Sequence, residues 1–267
     1  MRKLSISRAW EETRVVLARD GKLIGTVALA MLVLPGMVVN AVVPTAPRGE
    51  MPAPGAWIAA GLVALLISLV GQLSIIRLAM GPQITVGDAI AHGARRTLPF
   101  LGAFLIWAVP FVLLISGLYE TVRANPTHPS AIMALAMIVV CLACIFVAVR
   151  LLLMAAVASA EPIGPFAIFR RSWDLTAGNW WRLFGFVLIF FVGAIALLWA
   201  TASVVGLFAR MFFGDIAPLS LGWLILMLIA QLLSAFIYVV LFTMQARLYV
   251  QRSGPPEAEA TVPTTGI

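Results

Sequence analysis

Apolar residues in this chain gather into long blocks, not into the alternation of strands or the half-apolar stripes of surface helices. Six blocks recur, at about 23–43, 56–76, 98–118, 130–159, 183–208 and 219–246. A helix rises roughly 1.5 Å per residue, so about 20 residues cross a hydrocarbon core some 30 Å thick. The alternating ten-residue segments of an outer-membrane barrel are missing. The pattern therefore predicts an all-α polytopic membrane protein with six transmembrane helices, paired as three hairpins. Pro35 and Pro110 fall inside two of the blocks and predict bent axes there. The fourth block is longer than one crossing needs, so its end is expected to project into the aqueous phase or to tilt.

The intervals between blocks predict cytoplasmic interfacial helices. Residues 1–21 read as an amphipathic helix lying on the membrane surface, capped by Ser5 or Ser7. Its apolar stripe would be Ile6, Trp10, Val15 or Val16, and Leu17, with Arg8, Glu12, Arg14 and Arg19 outside it. This charged stretch is too long for the basic region of a secretory signal, and no A-x-A-like site follows; the first span itself is expected to do the targeting. A second polar interval, 81–97, carries Asp88, His92, Arg95 and Arg96. The third, EPIGPFAIFRRSWDLTAGNWWRLFG at 161–185, is the most distinctive. Pro162 and Pro165 should end the fourth helix. Phe166, Phe169, Trp173 and Leu175 then make an apolar edge, with Arg170, Arg171 and Asp174 facing water. Gly178-Asn179 signals a turn, with Asn179 the N-cap of the fifth span. Trp180 and Trp181 suit an interfacial aromatic belt, and Arg182 can snorkel. Residues 253–267 read as a disordered tail.

Charge then orients the bundle. Of the 18 Lys and Arg residues, all but Arg48, Arg123 and Arg210 lie on the side of the two termini. The positive-inside rule makes that side cytoplasmic and the protein a multi-pass protein of the bacterial inner membrane. The formal net charge of +7 resides there and is expected to favour anionic lipid. Topology explains the high isoelectric point, so no nucleic-acid partner is implied. A composition of 62% hydrophobic and 11% charged residues excludes a soluble domain.

Landmarks repeat along the chain. Arg8-Ala9-Trp10-Glu11-Glu12-Thr13 in the first interval matches Arg171-Ser172-Trp173-Asp174-Leu175-Thr176 in the third, which continues into Gly178, Asn179 and Trp180. Arg77, Arg150 and Arg247 each close an even-numbered span. The expected organisation is one domain, 1–252, built from interfacial-helix-plus-hairpin units at about 1–80, 81–160 and 161–252. These landmark residues are the candidate structural or interfacial motif. In each copy, the Arg and the acid would form a charge pair beside the Trp.

Recognisable chemistry does not appear. His92 and His128 fall on opposite sides of the bilayer and read as loop residues, and nucleophile-elbow, zincin and P-loop patterns are missing. No cofactor or metal is implied. Cys141 and Cys144 lie on one face of an apolar helix and read as packing residues. The spans hold no acid or base deep in the membrane; Gln72 and Gln231 read as hydrogen-bonding between helices.

The segment SWDLTAGNWWRLFG, preceded by an acidic residue and a Pro/Gly break, resembles the signature of the glycerophosphodiester phosphodiesterase membrane-domain family and of related six-helix bacterial inner-membrane proteins. The likeness covers the six-span layout and the third unit best, and the first two units in outline. That family's membrane domain is sometimes fused to a catalytic barrel. No barrel is present in this sequence, so the resemblance implies a fold and not an activity. The expectation is a non-catalytic scaffold or lipid-facing accessory of envelope function, its partners the bilayer, anionic lipid and a membrane protein. The alternative is a small transporter or permease subunit for a lipid or apolar solute.

Overall fold

Ser5 starts the first helix by accepting the Arg8 N–H on its side chain. From there one continuous run, 37 residues long, spans Ile6–Val42: α1 (Ile6–Ala28), a π-helical turn (Leu29–Val33) and α2 (Leu34–Val42). Pro35 accounts for the π turn. It lacks an N–H and its ring crowds the carbonyl four residues back, so the ladder widens and Leu34 N–H reaches Leu29 O, five residues away. The computed structural model describes residues 4–43, 53–81, 84–124, 131–214 and 220–254. The expected tail from 255 onward and His128 lie outside these residues.

The other elements are α3 (Ala56–Met80), α4 (Val86–Ala124), α5 (Ala131–Arg150), α6 (Met154–Ala160), α7 (Pro165–Thr176), α8 (Trp180–Phe213) and α9 (Leu221–Ser253). Six helical runs are long and apolar enough to cross a membrane, and no strand occurs among the described residues. The protein is an all-α, multi-pass membrane protein. Two of the three amphipathic segments are not separate surface helices, however. Residues 6–21 continue straight into the first span, and α4 runs from Val86 through Pro99 and Pro110 without a break. Gly21 and Gly25 cost a helix only about 1 kcal/mol each, too little to stop one without a turn signal. Only α7 stands apart from its span, where Gly178 takes φ +76° and turns the chain into α8.

The hairpins close on one another. Within them, α1 and α2 pack on α3, α4 on α5, and α8 on α9; between them, α3 packs on α4, α5 on α8, and α9 on α1. The first and second hairpins meet backbone to backbone. A Cβ at Gly93 of α4 would lie 2.5 Å from Ser74 Oγ and 2.7 Å from Val70 O of α3. The fourth apolar block breaks after Arg150, and α6 tucks against α3, α4, α7 and α9. Met154 through Ser159 are all buried. The end of this block is therefore the centre of the core and does not project into water. The break lets five small or medium apolar residues and Ser159 leave the lipid-facing line of α5 and fill the space between four other elements.

The core lies almost wholly at the end carrying residues 4 and 254. It joins Leu4, Ala9 and Val16 of α1, Leu73 to Met80 of α3, α6, Ile168 and Leu175 of α7, Leu183 of α8, and Met244 to Tyr249 of α9. Toward the opposite end α5 and α8 are apolar on nearly every side, with Ile132 80% and Met211 73% exposed. Cys141 is exposed on α5 as well, so it does not pack between helices as its spacing suggested. Helices exposed in this way match a lipid solvent, which gives no hydrophobic drive for apolar helix faces to close.

Candidate functional site

Every helix leaves carbonyls without intrahelical partners at its C-terminus, and buried ones must be satisfied from elsewhere. Here side chains of neighbouring elements do this at four helix ends. Arg247 of α9 donates to Ala79 O at the end of α3, at 3.4 Å. Ser172 and Thr176 of α7 donate to Arg150 O at the end of α5, at 3.2 and 2.9 Å. Arg96 of α4 reaches Ala158 O at 2.8 Å, Ile163 O at 3.1 Å and also Glu161 O, across the end of α6. His92 lies 2.7 Å from Ser159 O through Nε2; a carbonyl only accepts, so Nε2 carries the proton. Arg252 donates to Ala177 O after α7, at 3.3 Å. Ser159 Oγ in turn donates to Leu73 O inside α3, tying α6 to that helix.

His92 and Arg96 were read from sequence as residues of a polar interval. They are instead half-buried on α4, one turn apart, and both clamp α6. Their four-residue spacing was the available signal; what it faced depended on the unexpected break at Arg150. Glu12 is the second surprise. Placed outside the apolar stripe by its charge, it bonds Arg8 at 2.8 Å and the mostly buried Arg247 at 3.0 Å, tying α1 to α9. Glu161 does the same between α7 and α9, accepting from Arg171 at 3.0 Å and Tyr249 Oη at 2.8 Å.

The two matching motifs diverge. Trp173 is half-buried, stacked on Phe169 with ring centres 6.1 Å apart, and edge-on to Phe146 at 6.0 Å. Trp10 is 46% exposed and does not belong to a core stripe; the buried face of α1 is Ala9, Thr13 and Val16, one position off. The charge pairs also differ from expectation. Arg171 pairs with Glu161 and not Asp174, which is exposed; Arg8 pairs with Glu12, while Glu11 pairs with Arg14 at 3.4 Å. Exposed pairs within one helix differ little in energy, so the less exposed Glu12 and Glu161 take the arginines instead. Thr176 is a carbonyl cap, whereas the buried Thr13 Oγ1 has no partner among the described residues. Arg77 stands half-buried in the last turn of α3.

On α7 the buried face is Ile168, Ser172, Leu175 and Thr176; Phe166 is exposed, because the helix turns its small hydroxyls and not its largest ring toward the end of α5. Asn179 occupies the N-cap position of α8, but its side chain makes no capping bond. Trp180 stacks on Phe184 and donates Nε1–H to Phe146 O at 3.3 Å, while Trp181 stays 77% exposed. The Arg150 guanidinium lies over the Phe146 and Trp173 rings, at 5.5 and 5.1 Å from their centres. Phe146 is four residues before Arg150, a spacing legible in sequence once both are placed on one helix. Beside it opens a hollow of about 400 Å³ lined by Arg150, Gly178, Asn179, Trp180, Trp181 and Arg182.

Gln72 and Gln231 do not bond across helices. They share a cleft of about 330 Å³ with Ser68, Ser234 and Tyr238, between α3 and α9. Gln231 lies against Gly36 of α2, where a Cβ would come within 2.8 Å of its amide. Among the described residues no group of three His, Cys, Asp or Glu is placed to hold a metal ion.

Truncating Trp173 removes a stacked, half-buried ring and the cover of Arg150. Trp173→Ala is expected to destabilise the detergent-solubilised protein by about 3 kcal/mol, within the range for large-to-small aromatic truncations. Asp174→Asn and Trp10→Ala, both at exposed positions, should shift stability by no more than about 0.5 kcal/mol. Thermal melts of the purified variants compare them; a larger loss in Asp174→Asn than in Trp173→Ala would show that the motif is electrostatic and not a packing device.

No curated protein and no solved structure matches the chain. A family model matches residues 4–252, from the first described core residue, Leu4, to Arg252 on the carbonyl after α7. The chain therefore belongs to the family described as Domain of unknown function (DUF7847).

Proposed function

We propose that the protein is a non-catalytic component of the bacterial inner membrane, a scaffold or lipid-facing accessory of envelope function, with both termini in the cytoplasm. The observation that carries this reading is the division of the molecule into two ends. One end is locked by side chains bonded to helix-end carbonyls; toward the other, α5 and α8 present apolar surface on nearly all sides. Three groups at the locked end that could carry acid–base or anion chemistry are occupied structurally. His92 holds Ser159 O, Arg96 spans three carbonyls, and Glu161 is shared by Arg171 and Tyr249.

The excess of Lys and Arg at the locked end supports a cytoplasmic position for it. Anionic lipid is the natural partner of that face, and a membrane-protein partner fits the open flanks of α5 and α8. The likeness of residues 172–185 to the glycerophosphodiester phosphodiesterase membrane-domain signature is part of the same reading.

A second reading, transport of a lipid or apolar solute, is favoured by one observation. The cleft of Gln72, Gln231, Ser68 and Ser234 sets polar groups between apolar spans, beside the π-helical turn of the first. Irregular backbone in a span is tolerated where it lines a cavity.

Impermeant thiol labelling tests the placement. In a Cys141→Ala, Cys144→Ala background, Ala53→Cys and Glu120→Cys should react in intact cells, and Arg95→Cys and Asp174→Cys only after permeabilisation. Labelling of Asp174→Cys in intact cells contradicts it. The two functions separate on the Gln72→Leu, Gln231→Leu double variant. An accessory keeps any cellular phenotype of the folded protein. Loss of solute flux in reconstituted vesicles by a folded double variant establishes transport instead.

A further inference from the structure

We propose that the hollow beside α7 and α8 is a phosphate-binding site, filled by the phosphate of an anionic lipid headgroup or by free phosphate. The inference rests on the reading of this end as the headgroup side of the membrane and names the ligand chemistry of that face. Its lining residues are Arg150, Gly178, Asn179, Trp180, Trp181 and Arg182, two cations with no carboxylate among them. Of the two acids on or next to α7, Glu161 already serves Arg171 and Tyr249, and Asp174 is exposed.

Three independent features point to an anion. First, Arg150 is held between Phe146 and Trp173, and its Nε and Nη1 are shielded from solvent with no hydrogen-bond partner among the described residues. A guanidinium in that condition retains donors for a planar or tetrahedral oxyanion. Second, Asn179 is only 8% exposed and lines the hollow, yet its amide gives up the usual N-cap bond. An amide that makes no capping bond keeps its donors and acceptor for a ligand in the hollow. Third, the hollow opens at the N-terminus of α8, a helix of 34 residues whose first two, Trp180 and Trp181, are part of the lining. First-turn N–H groups and the helix dipole favour negative charge there. Gly178 adds room: φ is +76° and the position its Cβ would take has no atom within 4 Å.

The surroundings fit a headgroup. Trp181 is exposed next to the hollow, as an aromatic at the membrane interface would be, and Arg182 is exposed with one long bond of 3.4 Å to Leu4 O. Arg182 can therefore turn to a ligand at the cost of one long bond.

The test uses the full chain in uncharged detergent and native mass spectrometry. The probes are phosphatidylglycerol, a diacylglycerol of the same chains, and inorganic phosphate. The wild-type protein should retain phosphatidylglycerol and not diacylglycerol. Arg182→Gln and Asn179→Ala should each weaken retention by roughly tenfold, the scale of one lost charge-assisted hydrogen bond. Arg150→Gln should abolish it, and melting curves establish that the Arg182 and Asn179 variants are folded. Binding of inorganic phosphate that the lipid does not displace would support the site and identify free phosphate as its occupant. Equal retention of phosphatidylglycerol by wild type and all three variants, or equal retention of diacylglycerol, overturns the site. Thiol labelling is unaffected by that result, so loss of the site and loss of the cytoplasmic placement are read separately.

Discussion

A buried helix end must find donors for its last carbonyls, and this requirement organises the molecule. In most membrane helices those carbonyls meet water or headgroups. Here α6 ends inside the protein, and the ends of α3, α5 and α7 are covered by neighbours. Leaving one such group unsatisfied costs about 1–3 kcal/mol, whereas a bond from a charged donor contributes roughly 1.5–3 kcal/mol. Arginine suits the task because it offers five donors and no acceptor, and a cation at a helix C-terminus also meets the negative end of the dipole. One residue, Arg96, can therefore bind Ala158, Glu161 and Ile163 together, fixing both α6 and the extended link to α7.

That solution gives the bundle two unequal ends. Polar clamps and small-residue contacts such as Gly93 against Val70 O make one end dense. Away from it no hydrogen bond joins α5 and α8 among the described residues, and apolar side chains gain nothing by leaving lipid. The same dense end carries the positive charge, so arginines that orient a membrane protein also hold its helix termini. Arg150 differs from the others. Its carbonyl is capped by Ser172 and Thr176, but its guanidinium rests on aromatic rings and faces a hollow.

Much of this was legible in the chain. Six apolar blocks of spanning length give six helices because hydrogen-bond satisfaction in lipid allows few alternatives. The Gly178-Asn179 turn, the Ser5 cap and the helix end ahead of Pro162 follow from local chemistry and occur where expected. Long-range partners were not legible. Glu12 looked like a surface acid until α9 brought Arg247 to it, and Arg171 selected Glu161 ten residues earlier over its close neighbour Asp174. Trp10 and Trp173 share a motif but not an environment, since only the second has Phe146 and Phe169 beside it. The break after Arg150 was hidden because Leu151 to Leu153 are as apolar as the helices around them, with neither Gly nor Pro to mark a turn.

Hydrogen–deuterium exchange on Arg96→Leu tests the carbonyl clamp most directly. If the clamp organises the core, amide protection should fall sharply over Met154–Ala160 and the link to α7, and also within α3 around Leu73, where Ser159 is bonded. The outward half of α8, which shares none of these bonds, should exchange as in the wild-type protein. Unchanged protection across α6 in the variant would contradict the account.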